Sequence, residues 1–363
     1  MEQAQALAVL GEGSTSPNPR VGCVIVREGQ AVGTGFHRAS GMPHAEIMAL
    51  EEAAELARGA TLYVNLEPCS HHGRTPPCIH RIVAAGIRRV VASITDPNPQ
   101  VNGAGFRALR DAGVEVESGL LAAEARSINR PFLHWHATGR PWVTLKAGIS
   151  LDGMISAREG RSRWITGPAA RRFAHRLRLR HDAILVGAGT VRRDDPRLTA
   201  RLGDDEVSRL RVVLASNPDF DPGARVFERG TGRPATRIYV PEGVERTGPG
   251  LGSRAEIRQL PARGGRLELA AVLDDLGKGG VQSVLVEGGG RTVSRFLEDG
   301  VANAVAVFSA PLVIGARGAT PWVDGASAER PAEGWRLTEV RRIPMTDDLL
   351  VLGDLMRPRA GGA

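Results

Sequence analysis

Long apolar runs, lysine and cysteine are scarce in this 363-residue chain. No run of 18 or more apolar residues occurs, which excludes a membrane-spanning helix. The N-terminus lacks a basic stretch followed by an apolar segment and a cleavage site, so a cytoplasmic protein is expected. Cysteine occurs only at 23, 69 and 78. An odd count without an export signal argues against a disulfide framework. Cys23 lies in the apolar run Val21–Val26 and reads as a small core hydrophobe of a buried strand. Lysine occurs only at 146 and 278, and the other 45 basic residues are arginine.

The net charge of +7 raises the question of nucleic acid. Its distribution answers it. Residues 1–138 carry 12 Arg and no Lys against 13 acidic residues, so the whole excess lies beyond them. An RNA-tracking surface should be basic around its reactive site, and the near-neutral first part, with few aromatics, does not fit one. So strong an arginine bias looks like genome base composition as much as selection for a polyanion.

The length favours two domains. In the first, a short helix over 1–13 is broken by Ser16-Pro17-Asn18-Pro19. Val21–Val26 and Ala31–Phe36 read as a hairpin, and His44–Arg58 as a helix opened by Pro43. Strands are expected over 61–66, 89–94 and 114–117, and helices over 78–85 and 106–112. That order describes a three-layer α/β domain over 1–138, ending in a helix and a linker across 120–138. In residues 139–363, strands are expected at 142–147, 183–187, 210–215, 236–240, 282–287 and 303–308. Helices are expected near 168–180, 267–277 and 291–299, giving a second α/β domain. Residues 221–265, rich in Gly, Pro and Arg, read as irregular loops.

The chemistry concentrates in Pro43-His44-Ala45-Glu46, Glu67-Pro68-Cys69 and Cys78. Catalytic zinc takes three protein ligands and keeps one position open, and His44, Cys69 and Cys78 supply three. Cys78 opens a helix, whose N-terminus favours a thiolate. Glu46, two residues after His44, points at the same pocket without ligating. It can take a proton from water, hand it to a ring nitrogen and then protonate a departing amine, as hydrolytic deamination requires. The general zinc-deaminase pattern is His-x-Glu followed by Pro-Cys-x-x-Cys. Here eight residues, Ser70–Pro77, separate the cysteines, an insertion placed to contact substrate. His71 and His72 inside it are alternative ligands. Asn18 reads equally as a turn residue and as a substrate contact. A purely structural zinc is the bland alternative, against which the unligated Glu46 speaks.

In the second domain, Ser283–Glu287 is a strand that Gly288-Gly289-Gly290-Arg291-Thr292 turns into a helix. Such a turn offers backbone N–H groups and a helix N-terminus to a pyrophosphate. Ile184–Thr190 makes a second approach of the same kind. Neither is Gly-x-Gly-x-x-Gly, so the usual Rossmann fingerprint is missing. The strand 210–215 ends in Ser216-Asn217-Pro218 without an acid directly at its tip, which with the positive excess of this part favours NADP over NAD, while Asp219 just beyond weighs against it.

Pro17–Val26, Pro43–Glu46 and Leu66–Cys78, with the eight-residue loop between the cysteines, resemble the bifunctional riboflavin-biosynthesis deaminase–reductase family. Leu145–Gly153, Ser162–Thr166, Thr190–Thr199 and Val286–Gly290 are similar to its reductase part. The resemblance implies a cytidine-deaminase-like domain followed by a dihydrofolate-reductase-like one. It implies zinc-dependent hydrolytic deamination of 2,5-diamino-6-ribosylamino-4(3H)-pyrimidinone 5′-phosphate. NADPH reduction of the ribosyl group of 5-amino-6-(5-phosphoribosylamino)uracil would follow. Carried over by position, cofactor contacts fall on Gly148, Trp164, Thr190, Asp194, Ser216, Gly289, Gly290, Arg291, Thr292, Val293, Ser294 and Arg295. Substrate contacts fall on Ser162, Arg178, Leu198, Arg201 and Glu287, with Asn18 and His71 in the first domain. Arg178 and Arg201 are expected to fork onto phosphate. Lys146 sits near the reduced ribose or merely caps a strand. The resemblance also implies a homodimer through the second domain. The rival reading is a nucleic-acid base deaminase with an RNA-binding second domain.

Overall fold

The computed structural model describes residues 1–70, 77–203, 205–228, 236–244, 250–252, 254–325 and 328–357. The chain divides into two compact units, Met1–Gly139 and Arg140–Ala363.

The first unit runs α1 (Glu2–Val9), β1 (Gly22–Arg27), β2 (Gln30–Phe36), α2 (Ala45–Ala53), β3 (Thr61–Val64), α3 (Cys78–Ala84), β4 (Arg89–Ala92), α4 (Ala104–Asp111), β5 (Glu115–Ser118), α5 (Ala122–Ile128) and α6 (Arg130–Thr138). Its five-stranded sheet has the order β2-β1-β3-β4-β5, with β1 antiparallel to both neighbours and β3, β4 and β5 parallel. Side chains alternate across a strand, and two glycines let helices close on opposite faces. A Cβ on Gly22 would lie 2.0 Å from the Ala4 carbonyl oxygen of α1, and one on Gly35 2.2 Å from that of Ala45 in α2. Cys23, Ile25, Ala45, Ala49, Leu62, Val64, Cys78, Ile82 and Val90 form one core, so Cys23 is the core hydrophobe expected. Leu66, Ile94, Ala125 and Phe132 pack together as a smaller cluster. The expected linker is thus largely helical: α5 and α6 fill 122–138, and Ala125 and Phe132 are buried. Between them Asn129 accepts the Arg20 N–H (2.8 Å) and donates to the Arg20 carbonyl (3.0 Å), clamping the turn that carries Asn18.

The second unit is built on a nine-stranded sheet. In chain order its main elements are β6 (Trp142–Ser150), α7 (Pro168–Arg180), β7 (Ala183–Gly187), α8 (Ala188–Asp194), β8 (Leu210–Leu214), β9 (Thr236–Pro241), β10 (Glu256–Leu260), α9 (Leu269–Lys278), β11 (Ser283–Val286), α10 (Gly290–Glu298), β12 (Ala304–Ala310), β13 (Arg336–Met345) and β14 (Asp348–Met356). The strand order is β10-β9-β8-β7-β11-β6-β12-β14-β13. The run from β10 to β12 is parallel, and β14 and β13 are added antiparallel. The parallel strands read as unbroken apolar runs because both faces are covered: Ile184, Leu185 and Val186 are all fully buried, as are Val284, Leu285 and Val286. The Gly- and Pro-rich stretch contains a regular strand, β10, where irregular loops were expected. The hairpin β13–β14 was not anticipated either. β13 is largely solvent-exposed, so its sequence lacks the alternation that marks a half-buried strand.

Candidate functional site

In the first unit, strand and helix ends bring the expected donors together. His44 is the N-cap of α2 and Cys78 is the first residue of α3. The ligand atoms of His44, Cys69 and Cys78 all lie within 4.8 Å of one another. His44 Nδ1 is 3.2 Å from Cys78 Sγ and 3.5 Å from Cys69 Sγ. Donors so spaced suit a single tetrahedral ion with bonds of about 2.0–2.3 Å, and two thiolates with an imidazole are a zinc donor set. Hydrogen bonding from the Cys78 thiol, then from His44 and the Cys78 backbone N–H, holds the Cys69 thiol down at about 4 despite burial. Glu46 is buried against this group, and burial pushes its carboxyl above the usual range.

A second layer was invisible in the sequence. His37 Nδ1 lies 3.1 Å from the Pro43 carbonyl oxygen and Nε2 lies 3.0 Å from Asn18 Nδ2. The carbonyl can only accept, so Nδ1 carries the proton and Nε2 accepts from the Asn18 amide. Burial lowers the His37 pKa and keeps the ring neutral. Its ring meets that of His44 edge-on at 5.5 Å. Asn18, which read equally as turn residue or contact, is therefore tied to a ring that touches the metal group. No motif marks His37, a single histidine after strand β2. His71 lies outside the described residues.

Glu67 does more than end a strand. Its buried carboxylate accepts the backbone N–H groups of Asp96 (3.1 Å), Gly103 (2.9 Å), Gly105 (2.9 Å) and Phe106 (3.3 Å). A Cβ on Gly105 would lie 2.2 Å from the Pro68 carbonyl oxygen, so only glycine lets α4 close on the Cys69 segment. Asp96 is buried beside it, and burial lifts its carboxyl to about 6. Glu67→Ala strands four donors, three of them buried, and should destabilise the first unit by on the order of 3 kcal/mol. Denaturant unfolding of the full chain checks this, and an unchanged first-unit transition would refute it.

In the second unit, a cavity of about 510 Å³ opens at the carboxyl ends of β7, β8, β9 and β11. Thr190, Ser216, Gly289, Gly290, Arg291, Thr292 and Arg295, which the resemblance offers as cofactor contacts, line it. Gly148, Trp164 and Asp194 do not. Val293 instead packs into the core, and Ser294 is buried, donating to the Gly290 carbonyl (2.8 Å) and accepting the Asp324 N–H (2.7 Å). Gly189 and Gly289 border the cavity with nothing within 4 Å of a built Cβ, so any side chain there would occupy it. Two adjacent glycine turns and the N-terminus of α10 form a cradle suited to a dinucleotide pyrophosphate.

The expected substrate residues partly assemble into a charged cluster. Arg178 forks onto Glu287 at 2.7 and 2.9 Å and donates to the Thr199 carbonyl at 2.8 Å. The fork expected to meet phosphate is thus occupied by a carboxylate. Lys146 Nζ lies 3.7 Å from the same carboxylate. Arg201 joins through its backbone N–H, which donates to His175 Nδ1 at 3.2 Å, and His175 went unnoticed in the sequence. Burial lowers the His175 pKa, and the charges of Arg178 and Arg201 lower it further. Leu198 is buried with φ 54°, and Ser162 makes none of these contacts.

Residues 141–347 match the RibD C-terminal domain, and residues 1–94 match the cytidine and deoxycytidylate deaminase zinc-binding region. The chain belongs to the RibD family. It is 42% identical to riboflavin biosynthesis protein RibD of Bacillus amyloliquefaciens over 90% of this chain and 87% of that one. It is similar to the structure of Acinetobacter baumannii RibD, with a TM-score of 0.88, 36% identity and 98% of each chain covered. It is also similar to a diaminohydroxyphosphoribosylaminopyrimidine deaminase/5-amino-6-(5-phosphoribosylamino)uracil reductase structure from Thermotoga maritima. That likeness has a TM-score of 0.83 and 35% identity, covering 99% of this chain and 97% of that one. As a RibD-family member the chain is an enzyme with a zinc-dependent deaminase part and an NADPH-dependent reductase part. The RNA-binding alternative is not favoured. No described helix is long and apolar enough to cross a membrane.

Proposed function

We propose that residues 1–138 deaminate 2,5-diamino-6-ribosylamino-4(3H)-pyrimidinone 5′-phosphate and that residues 139–363 reduce the ribosyl group of the resulting aminouracil nucleotide to ribityl with NADPH. The observation that carries the reading is the His44–Cys69–Cys78 group with buried Glu46 against it. His44, Cys69 and Cys78 would hold the zinc. A bound zinc supplies Lewis acidity that makes water a nucleophile near neutral pH. Glu46 takes a proton from the attacking water and delivers it to the ring nitrogen. It then takes the second proton from the newly formed hydroxyl and gives it to the amine, which leaves as ammonia as the carbonyl forms. Its burial keeps that carboxyl basic enough to do both. Asn18, held by His37, meets the pyrimidine edge, and His71 is assigned to the same substrate.

In the second unit the glycine turns receive the pyrophosphate of NADPH. Glu287, Arg178 and Arg201, with Ser162 and Leu198, form the substrate pocket. Lys146 gives that pocket an ammonium suited to hand a proton to the sugar oxygen as the ribose ring opens. Hydride transfer itself asks mainly for orientation and exclusion of water. We assign the enzyme to the cytoplasm and to a homodimer formed through the second unit, which sedimentation of the full chain tests.

The deciding assay supplies the diaminopyrimidinone nucleotide with and without NADPH and weighs the products. Without NADPH, the expected product has one amino group replaced by a carbonyl. With NADPH it gains two further hydrogens. An unchanged substrate mass in the presence of zinc would overturn the reading.

A further inference from the structure

The cavity of the second unit holds more positive charge than a pyrophosphate cradle alone requires. Arg192, Arg193, Arg266, Arg291 and Arg295 line it, against a single acid, Asp324. These arginines do not stand in equivalent places. Arg291 lies on the first turn of α10, beside the glycine cradle. Arg295 donates to the Leu267 carbonyl. Arg266 belongs to a short strand, paired with Arg263. The side chain of Arg193 packs towards Gly160.

Arg192 alone is fixed at the tip of β8. Its Nη2 donates to Asn217 Oδ1 and to the Asp219 carbonyl, both at 3.0 Å. Its guanidinium carbon sits 4.8 Å from the centroid of the Phe220 ring. A long, flexible side chain is thereby held in place by two hydrogen bonds and a ring face, with most of its rotamer entropy already lost.

The position matters because of the sheet order. The pyrophosphate cradle lies over the neighbouring strands β7 and β11, and β8 is the next strand outward beyond β7. In Rossmann domains, whose glycine fingerprint this unit lacks but whose strand-end cradle it shares, the adenosine ribose lies beyond the first glycine turn. An acid there accepts from a free 2′-hydroxyl, and an arginine accommodates a 2′-phosphate. Here Ala215 and Ser216 line the cavity at the tip of β8, Asn217 follows, and Arg192 stands over them.

We infer that Arg192, with Ser216, reads the 2′-phosphate of NADPH and sets the preference for NADPH over NADH. The inference rests on the cofactor reading above and extends it to the residue that discriminates. Nη2 is spent on Asn217 and Asp219, so the phosphate would be met by the N–H groups of Nη1 and by the guanidinium charge.

Calorimetry on the full-length protein with 2′,5′-ADP, 5′-AMP, NADPH and NADH tests it, independently of turnover. Arg192→Ala should weaken 2′,5′-ADP and NADPH by roughly 10–100-fold, the loss of charged hydrogen bonds to one group. Binding of 5′-AMP and NADH should stay within about twofold, and Arg192→Lys should fall between. Unchanged affinity for 2′,5′-ADP would overturn the role of Arg192 while leaving the NADPH reading intact. Equal losses for all four ligands would overturn it too, as would finding the loss in Arg266→Ala instead. If the wild-type protein bound neither dinucleotide, the cofactor reading itself would fall.

Discussion

Glu46→Gln is expected to abolish deamination while leaving zinc in place. The side chain lies against the three donors without being one of them, so the amide should fit without disturbing the metal. What the amide cannot do is accept a proton from water and return it to the departing amine. A positioned acid–base group contributes about 10²–10⁴-fold, and Glu46 is asked to act in both directions. A fall at the upper end of that range is therefore expected. Metal analysis should give the wild-type zinc content, and the reductase step should run at its normal rate on the deaminated nucleotide. Deamination within tenfold of wild type would sink the role given to Glu46. Loss of zinc would mean the residue supports the metal rather than the proton transfer.

That prediction stands on residues legible in the sequence, and the reason is local. His44 and Glu46 are two positions apart, and Cys69 and Cys78 each sit where a strand or helix boundary can be read. The supporting groups were not legible because they are made by folding. His37 is a single histidine after a strand, and it matters only because Asn18, 19 residues earlier, returns to its ring. Glu67 looked like punctuation before Pro68, and its four N–H partners lie 29 to 39 residues further on. Arg192 was hidden by abundance, since one arginine among 45 carries no signal until its neighbours are known. The same logic governs the fold. Buried parallel strands such as β7 and β11 announced themselves as apolar runs. β13 is exposed along most of its length and showed no period, and the helices at 122–138 were obscured by their short lengths.

Arg178→Ala should be among the most damaging single changes in the second unit. Glu287 is buried, with its side chain 9% exposed, and burial alone would push its carboxyl up. The charges of Arg178 and then Lys146, with the fork from Arg178, more than offset this and hold it well below the ordinary carboxylate range. Removing the guanidinium leaves a buried carboxylate with Lys146 at 3.7 Å and the His175 ring nearby, and no fork. Breaking a buried pair in this way costs roughly 3–5 kcal/mol, most of it the penalty of the stranded charge. The pH dependence follows from the sign of the shift. A carboxyl whose folded pKa is depressed adds stability above its unfolded pKa of about 4.3. That stability is lost as pH falls below it. The gap between wild type and Arg178→Ala should therefore be widest near neutrality and narrow as the pH falls below that value towards the depressed folded pKa of Glu287. Pairing Arg178→Ala with Glu287→Gln removes the stranded charge and should recover a good part of the loss, a coupling that a double-mutant cycle reads directly. Urea unfolding of the full chain, followed at neutral pH and at successively lower pH below about 4, measures each quantity. An Arg178→Ala protein as stable as wild type at pH 7, or a double variant no better than the single, would show that the Arg178–Glu287 fork does not hold this site together.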